Sequence, residues 1–258
     1  MAGAPAKISL KGVRKSFGAK VVLDGIDLDI AHGSSMVIIG GSGTGKSVML
    51  KCVLGLIQPD AGETLFDGTA LTRRSRAEIG FYGRIGMLFQ GSALFDSLTV
   101  WENVGFGLMQ GKGMARSKAR EVAIEKLRRV GLDADVANLS PAELSGGMQK
   151  RVGLARAIAA DPEVIFFDEP TTGLDPIMAD VINGLIRELV TDIGATAISI
   201  THDMASANKI ADRIAMIYHG RIIWQGPADE IRSSGNDHVD QFVHGRAEGP
   251  IRVGVLDE

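Results

Sequence analysis

Between residues 8 and 39 the apolar positions fall in short blocks separated by turn residues, a pattern that predicts strands. Residues 21–23 and 26–30 flank Asp24-Gly25, a dipeptide that favours a tight hairpin turn. Residues 35–39 form a continuous apolar run, as expected of a strand buried on both faces. A glycine-rich loop follows, then a helical stretch over about 46–56, and 85–89 is another apolar strand candidate. From about 98 to 160 the period changes to that of helices. Ala119, Val122, Ala123, Leu127 and Val130 share one face there, and Gly131 closes the run. Residues 164–167 read as a core strand. Asp175-Pro176 opens a helix as N-cap and first-turn proline, with Met178, Ile182, Leu185 and Leu189 along one face. Residues 196–200 and 213–218 are further strands. The order of elements, β-loop-α, a helical insert, then β-α-β, predicts an α/β fold with a mainly parallel sheet. No internal repeat is visible, and the segment after about Ser233 is rich in Gly, His and charge without a clear period.

Composition adds a few exclusions. The 258 residues are 45% hydrophobic and 23% charged, the balance of a globular chain that can bury a sizeable core. The formal charge is −3, without the basic excess that phosphate neutralisation demands, so no nucleic-acid partner is expected. The single cysteine, Cys52, can form no internal disulfide and reads as a small buried residue. The first residues lack the apolar region of a signal peptide, and no apolar run approaches the roughly 20 residues of a membrane span. The expectation is a soluble cytosolic chain whose membrane role, if any, runs through a partner.

The most specific chemistry lies in Gly40-Gly41-Ser42-Gly43-Thr44-Gly45-Lys46-Ser47, which matches G-x-x-x-x-G-K-[ST] between a predicted strand and a predicted helix. Glycines let the backbone wrap around phosphates with its N–H groups pointing inward, and the helix N-terminus adds its positive dipole end. Lys46 supplies a point charge for the β- and γ-phosphates and Ser47 a hydroxyl for Mg²⁺; the expected ligands are therefore ATP and Mg²⁺. Four apolar residues, 164–167, precede Asp168-Glu169 and carry both acids to the C-terminal edge of the sheet, where α/β ligands bind. Asp168 is placed to hold Mg²⁺, directly or through water, and Glu169 to polarise the attacking water. Leu144-Ser145-Gly146-Gly147-Met148-Gln149 starts another helix. Ser145 is there either an ordinary N-cap, or, with Gly146 and Gly147, a second phosphate grip. In the second case a head-to-tail pair of chains shares two composite sites.

Taken in order, the phosphate loop, Gln90, Leu144 to Met148, Asp168-Glu169, Gly173-Leu174-Asp175 and His202 resemble the ATP-binding cassette (ABC) ATPases over most of the chain. The resemblance implies a P-loop NTPase core of ABC type, with an N-terminal antiparallel β subdomain and a helical subdomain inserted at about 98–160. One such domain would span 1–234 and a tail 235–258. It further implies that Gln90 senses the γ-phosphate and Mg²⁺, that Asp175 contacts the opposite subunit, and that His202 holds the γ-phosphate end. Phe17 aligns with the aromatic residue that stacks on adenine, a task that needs only a π-face. Lys46, Glu169 and His202 are the expected catalytic residues; Ser47, Gln90 and Asp168 the expected metal ligands. Two departures are present: Phe17 replaces the commoner Tyr, and Met148 the commoner Gln.

After Gln90, the side chains of Leu94, Phe95, Leu98 and Trp101 are many apolar groups for the edge of a nucleotide site. They either pack the helical insert or form a groove for a short helix of a membrane subunit. This stretch, the segment 144–159 and the tail 241–251 look like the ATPase subunits of the Mla family, which move phospholipids between Gram-negative membranes. The resemblance implies a second copy of the chain, transmembrane permease subunits and accessory lipid-binding subunits as partners, at the cytoplasmic face of the inner membrane. An importer for another small substrate and a non-transport ABC ATPase are the alternatives; the chain has neither a second cassette nor a coiled-coil insertion. Phe242 and Val243 either anchor the tail on the neighbouring subunit or belong to a loosely ordered terminus.

Overall fold

The computed structural model describes residues 6–252. In chain order the strands are β1 (Ala6–Phe17), β2 (Lys20–Ala31), β3 (Ser35–Ile39), β4 (Ala61–Phe66), β5 (Thr69–Ala70), β6 (Ile85–Leu88), β7 (Val164–Asp168), β8 (Thr196–Ile200), β9 (Arg213–Tyr218) and β10 (Arg221–Pro227). The helices are α1 (Lys46–Leu54), α2 (Arg73–Glu78), α3 (Val100–Lys112), α4 (Arg116–Arg129), α5 (Gly146–Ile158), α6 (Pro176–Ile193), α7 (Met204–Ile210) and α8 (Asp237–His244). Strands β2-β1-β4-β5 form an antiparallel sheet. The second sheet runs β10-β9-β3-β8-β7-β6, parallel from β9 to β6 with β10 antiparallel at its edge.

The parallel sheet divides the core by simple alternation of side chains across each strand. Val37, Ile39, Ile165, Phe167, Ala197 and Met216 point to the face covered by the helical insert. Met36, Ile38, Val164, Phe166, Ile198 and Ile217 point to the face shared by α1 and the antiparallel sheet. Both faces are dry, which is why these strands read as unbroken apolar runs. In the insert, Ala119, Ala123, Leu127 and Val130 are fully buried as the helical spacing predicts. On α6 the buried face is turned slightly: Ile182 and Leu189 are buried together with Asn183 and Ile186, whereas Met178 and Leu185 are only half-buried.

Asp24-Gly25 is not a hairpin turn. Strand β2 runs through it, and the reversal lies at Gly18-Ala19, with Phe17 paired to Lys20. Gly25 adopts φ +77° at an irregularity where Val13 faces Ile26 and Arg14 faces Asp24. Its left-handed conformation serves a bulge that bends a twelve-residue strand rather than a turn. Asp24 is meanwhile anchored to the far edge of the other sheet, through its N–H to the Gly220 carbonyl (2.8 Å) and its carboxylate to Arg221 (2.6 Å).

The tail is also more regular than its sequence suggests. Asn236 caps α8 by accepting from the N–H groups of His238 and Val239. Val239 is fully buried, and Phe242 and Val243 pack against the core of their own chain. Gln241 accepts from the Ile251 N–H at 2.7 Å and donates to the Arg246 and Ile251 carbonyls, pinning residues 246–251 back onto the helix.

Candidate active site

Four neighbouring strands deliver the site from their C-terminal ends: the phosphate loop after β3, His202 after β8, Asp168-Glu169 at β7 and Gln90 after β6. One cavity of about 880 Å³ has Gly41, Ser42, Gly43, Lys46, Ser47, Gln90, Glu169 and His202 on its wall. The sequence separates these residues by up to 161 positions; the parallel register alone brings them together.

Two glycines make the phosphate loop possible. At Gly40, with φ +152°, a Cβ would lie 2.5 Å from the Ile217 carbonyl, and at Gly45, φ +108°, 2.8 Å from the Val22 carbonyl. The loop is thus pressed between two strands with no room for a side chain. Lys46 is 7% exposed and donates to the Gly40 (2.7 Å) and Gly41 (2.9 Å) carbonyls. Burial pushes its ammonium below the usual lysine range, while Glu169 and Asp168 oppose that shift. Phe17, 49% exposed, lines a neighbouring cavity of about 320 Å³ with Lys20, Val22 and the backbone from Gly43 to Ser47.

Glu169 sits at φ +49°, a left-handed conformation that costs a non-glycine residue energy and is typical of functional positions. Its N–H donates to the Ile200 carbonyl at 2.9 Å. Its carboxylate lies 3.0 Å from His202 Nδ1 and accepts from the Thr172 hydroxyl at 3.2 Å. Glu169 and His202, read separately in the sequence, are therefore one hydrogen-bonded pair. Asp168 stands behind this wall. Its Oδ1 is buried without a hydrogen-bond partner among the described residues, and burial, with Glu169 beside it, raises its pKa above the ordinary aspartate range. A buried carboxylate oxygen with no donor is suited to a cation. Among the described residues no group of three or more His, Cys, Asp or Glu could hold a metal alone. Mg²⁺ needs no such group, since it takes one or two carboxylates plus substrate phosphates. The oxygens of Asp168, Ser47 and Gln90 fit that ion.

Ser145, Gly146 and Gly147 are absent from the wall of this cavity. Ser145 accepts from the Met148 N–H at 3.3 Å, as an N-cap does, and Ser145 and Gly146 are exposed at the start of α5. Asp175 likewise caps α6, accepting from the Ile177 and Met178 N–H groups at 3.0 Å. In the segment after Gln90 the core-packing reading accounts for two of the apolar side chains. Trp101 is buried and Leu94 packs on the core, while Phe95 remains 45% exposed against Phe106. The tail supplies a wall that sequence reasoning missed: Gln241, Phe242, Gly245, Arg246, Ala247 and Ile251 border the cavity. The Asn236 cap followed by Val239 and Phe242 was the available signal.

Residues 23–172 match the family model described as ABC transporter. This chain belongs to the ABC transporter family. Over 95% of its length it is 42% identical to protein TRIGALACTOSYLDIACYLGLYCEROL 3, chloroplastic, of Arabidopsis thaliana, covering 75% of that protein. It is 39% identical to the probable ribonucleotide transport ATP-binding protein mkl of Mycobacterium leprae, covering 70% of it. It is also 39% identical to the intermembrane phospholipid transport system ATP-binding protein MlaF of Haemophilus influenzae, covering 93%. A dimeric post-hydrolysis structure of the ATP-binding cassette MJ0796, bound to ADP and Pi, superposes with TM-score 0.76 at 33% identity, covering 86% of this chain and 98% of that one. The α/β architecture is thus that of an ABC ATPase, and ATP hydrolysis is the family's reaction. Among the described residues no helix is long and apolar enough to cross a membrane.

Proposed function

We propose that this ABC ATPase works as a homodimer at the cytoplasmic face of the inner membrane, driving permease subunits that move phospholipid with the help of lipid-binding accessory subunits. One observation carries the dimer: Lys46, Ser47, Gln90, Glu169 and His202 share a cavity from which Ser145, Gly146 and Gly147 of the same chain are absent. The exposed Ser145 turn is then free to grip nucleotide held by a twin chain, and two-fold symmetry makes two such sites. Dimeric relatives of the same fold support this.

In this reading Phe17 stacks on adenine, the loop from Gly40 to Ser47 cradles the phosphates and Lys46 balances their charge. Ser47, Gln90 and Asp168 hold Mg²⁺, which when bound neutralises the phosphate oxygens. Glu169 orients the attacking water, and His202, hydrogen-bonded to Glu169, faces the γ-phosphate. Asp175 meets the opposite subunit. Phe95, beside Gln90, belongs to the permease-facing surface. The tail borders the cavity that the partner's turn must enter, so it contacts the partner on closure.

The phospholipid assignment rests on relatives named for that transport, whereas the mycobacterial relative is named for ribonucleotides. Nothing in the nucleotide site touches cargo. Two measurements test the whole. Glu169→Gln should keep ATP binding, lower turnover at least about 100-fold and leave a stable ATP-bound dimer on gel filtration; a normal rate removes Glu169 from its role. Purification with the membrane subunits should bring down phospholipid; absence of lipid, with a ribonucleotide recovered beyond the adenine nucleotide of the two ATP sites, would reassign the cargo.

A further inference from the structure

Helix α5 begins with the Ser145-Gly146-Gly147 turn and, further along, presses on the loop that starts at Gln90. The contact is built from Lys150, Gly153 and Arg156, which recur every three residues along the helix. Lys150 Nζ donates to the Gln90 carbonyl. At Gly153 a Cβ would lie 2.6 Å from Leu88 Cδ1 and 3.4 Å from Ser92 Cβ, so the helix lies unusually close to this segment. Arg156 donates to the Ala93 carbonyl at 2.7 Å and to the Ser92 carbonyl. Ser92 and Ala93 both hold left-handed backbone, φ +60° and +46°, without being glycines. Such conformations persist only where the surroundings impose them; here Arg156 grips both carbonyls.

Lys150 is 5% exposed and forms no close ion pair among the described residues. Burial disfavours its charge, and Asp168 and Glu169 favour it through space. Burying a cation without a paired carboxylate costs several kcal/mol, so an apolar side chain would be the cheaper core residue here. The ammonium is therefore better explained by what it holds than by stability. It holds the backbone of Gln90, a residue on the wall of the candidate nucleotide cavity.

We infer that Lys150 is a positioning residue: it fixes the Gln90 backbone, sets the aim of the Gln90 side chain, and ties that side chain to the helix carrying the Ser145 turn. The inference rests on the reading of Gln90 as an Mg²⁺ and γ-phosphate sensor. In the dimer, Gln90 serves the chain's own nucleotide and the Ser145 turn serves the partner's. The Lys150 contact consequently links one composite site to the other.

The test uses the full chain with Lys150→Met, which keeps the apolar stem, and Lys150→Arg, which keeps a cationic donor. Fluorescent ATP is titrated in EDTA and then against Mg²⁺, alongside ATPase cooperativity. For Lys150→Met we expect unchanged affinity in EDTA, a rise of about tenfold in the Mg²⁺ needed for half-maximal binding, as is usual when a ligand's outer partner is removed, and loss of cooperativity in ATP. Lys150→Arg should recover at least part of the Mg²⁺ dependence. Wild-type Mg²⁺ dependence in Lys150→Met overturns the inference. So does an equal loss of binding with and without Mg²⁺, which marks a purely structural role. If Gln90→Ala leaves Mg²⁺ dependence untouched, the reading of Gln90 itself falls, and the inference with it.

Discussion

Asp168 ends a strand of four buried apolar residues and carries a carboxylate oxygen to which no group donates among the described residues. Its raised pKa fixes the sign of its effect on folding. The folded state gives up this proton less readily than the unfolded chain, whose aspartate titrates near 3.8. Stability is therefore lost as pH rises from that value, and at neutral pH the charge works against the metal-free fold. Asp168→Asn should raise the melting temperature of the nucleotide-free protein by about 2–4 °C for each kcal/mol relieved in a chain of this size. The same variant should lose the extra thermal stabilisation that Mg²⁺ adds to ATP, since ligand binding stabilises only in proportion to its affinity for the native state. A lower melting temperature without nucleotide would show that Asp168 supports the fold rather than awaiting a cation.

At the scale of elements, glycine decides how closely helix and sheet approach. Gly86 in β6 lies under α5 so tightly that a Cβ would sit 2.0 Å from the Ala157 carbonyl, a backbone atom that cannot swing aside. Gly107 in α3 faces open space. Gly86→Ala should destabilise by about 1–3 kcal/mol or more through overpacking, whereas Gly107→Ala should stabilise by about 0.5–1 kcal/mol through helix propensity. Urea denaturation of the two variants separates these outcomes, and equal effects would refute the packing argument. Neither distinction could be read from sequence, where both are glycines in apolar surroundings. What was legible follows from local chemistry. The phosphate loop, the Asp175-Pro176 helix start and the core strands are each specified by contiguous residues and short-range geometry. Asp24-Gly25 misled because a left-handed glycine serves a bulge as well as a turn, and only the partner strand settles which. The Glu169–His202 pair and the Lys150 contact escaped for the same reason: residues 33 and 60 apart meet through sheet register, which one sequence does not display.

Across the whole molecule, the candidate nucleotide cavity occupies the C-terminal ends of the parallel strands, and an ion cluster pins the two sheets together at the opposite ends. Lys7 of β1, 3% exposed, reaches Asp67 at 2.8 Å and Glu163 at 2.5 Å. Arg84, just before β6, reaches the same two carboxylates at 2.8 and 2.6 Å, and His32 Nε2 lies 3.0 Å from Asp67. Lys7 and Arg84 each also sit 4.4 Å from the centre of the Phe66 ring. The cluster closes the seam between the antiparallel sheet and the starts of β6 and β7, at the opposite ends of those strands from Gln90, Asp168 and Glu169. Its hydrogen bonds from Arg84 and Lys7 hold the Glu163 carboxyl down to about 2. For a depressed acid the stabilisation is fully present above the unfolded value near 4.5 and disappears as pH falls from there toward 2. Glu163 is 45% exposed, so solvent and salt screen part of the effect. Lys7 is not, and removing its partner leaves a buried ammonium with Asp67 as its remaining carboxylate. Glu163→Gln should therefore be less stable than the parent above pH 5 and converge on it toward pH 2, with ATP affinity at neutral pH unchanged because the nucleotide cavity lies at the other edge. Melting curves across that interval check the sign. A gap between the two proteins that stays constant with pH would mean that packing, not charge, joins the sheets at this seam.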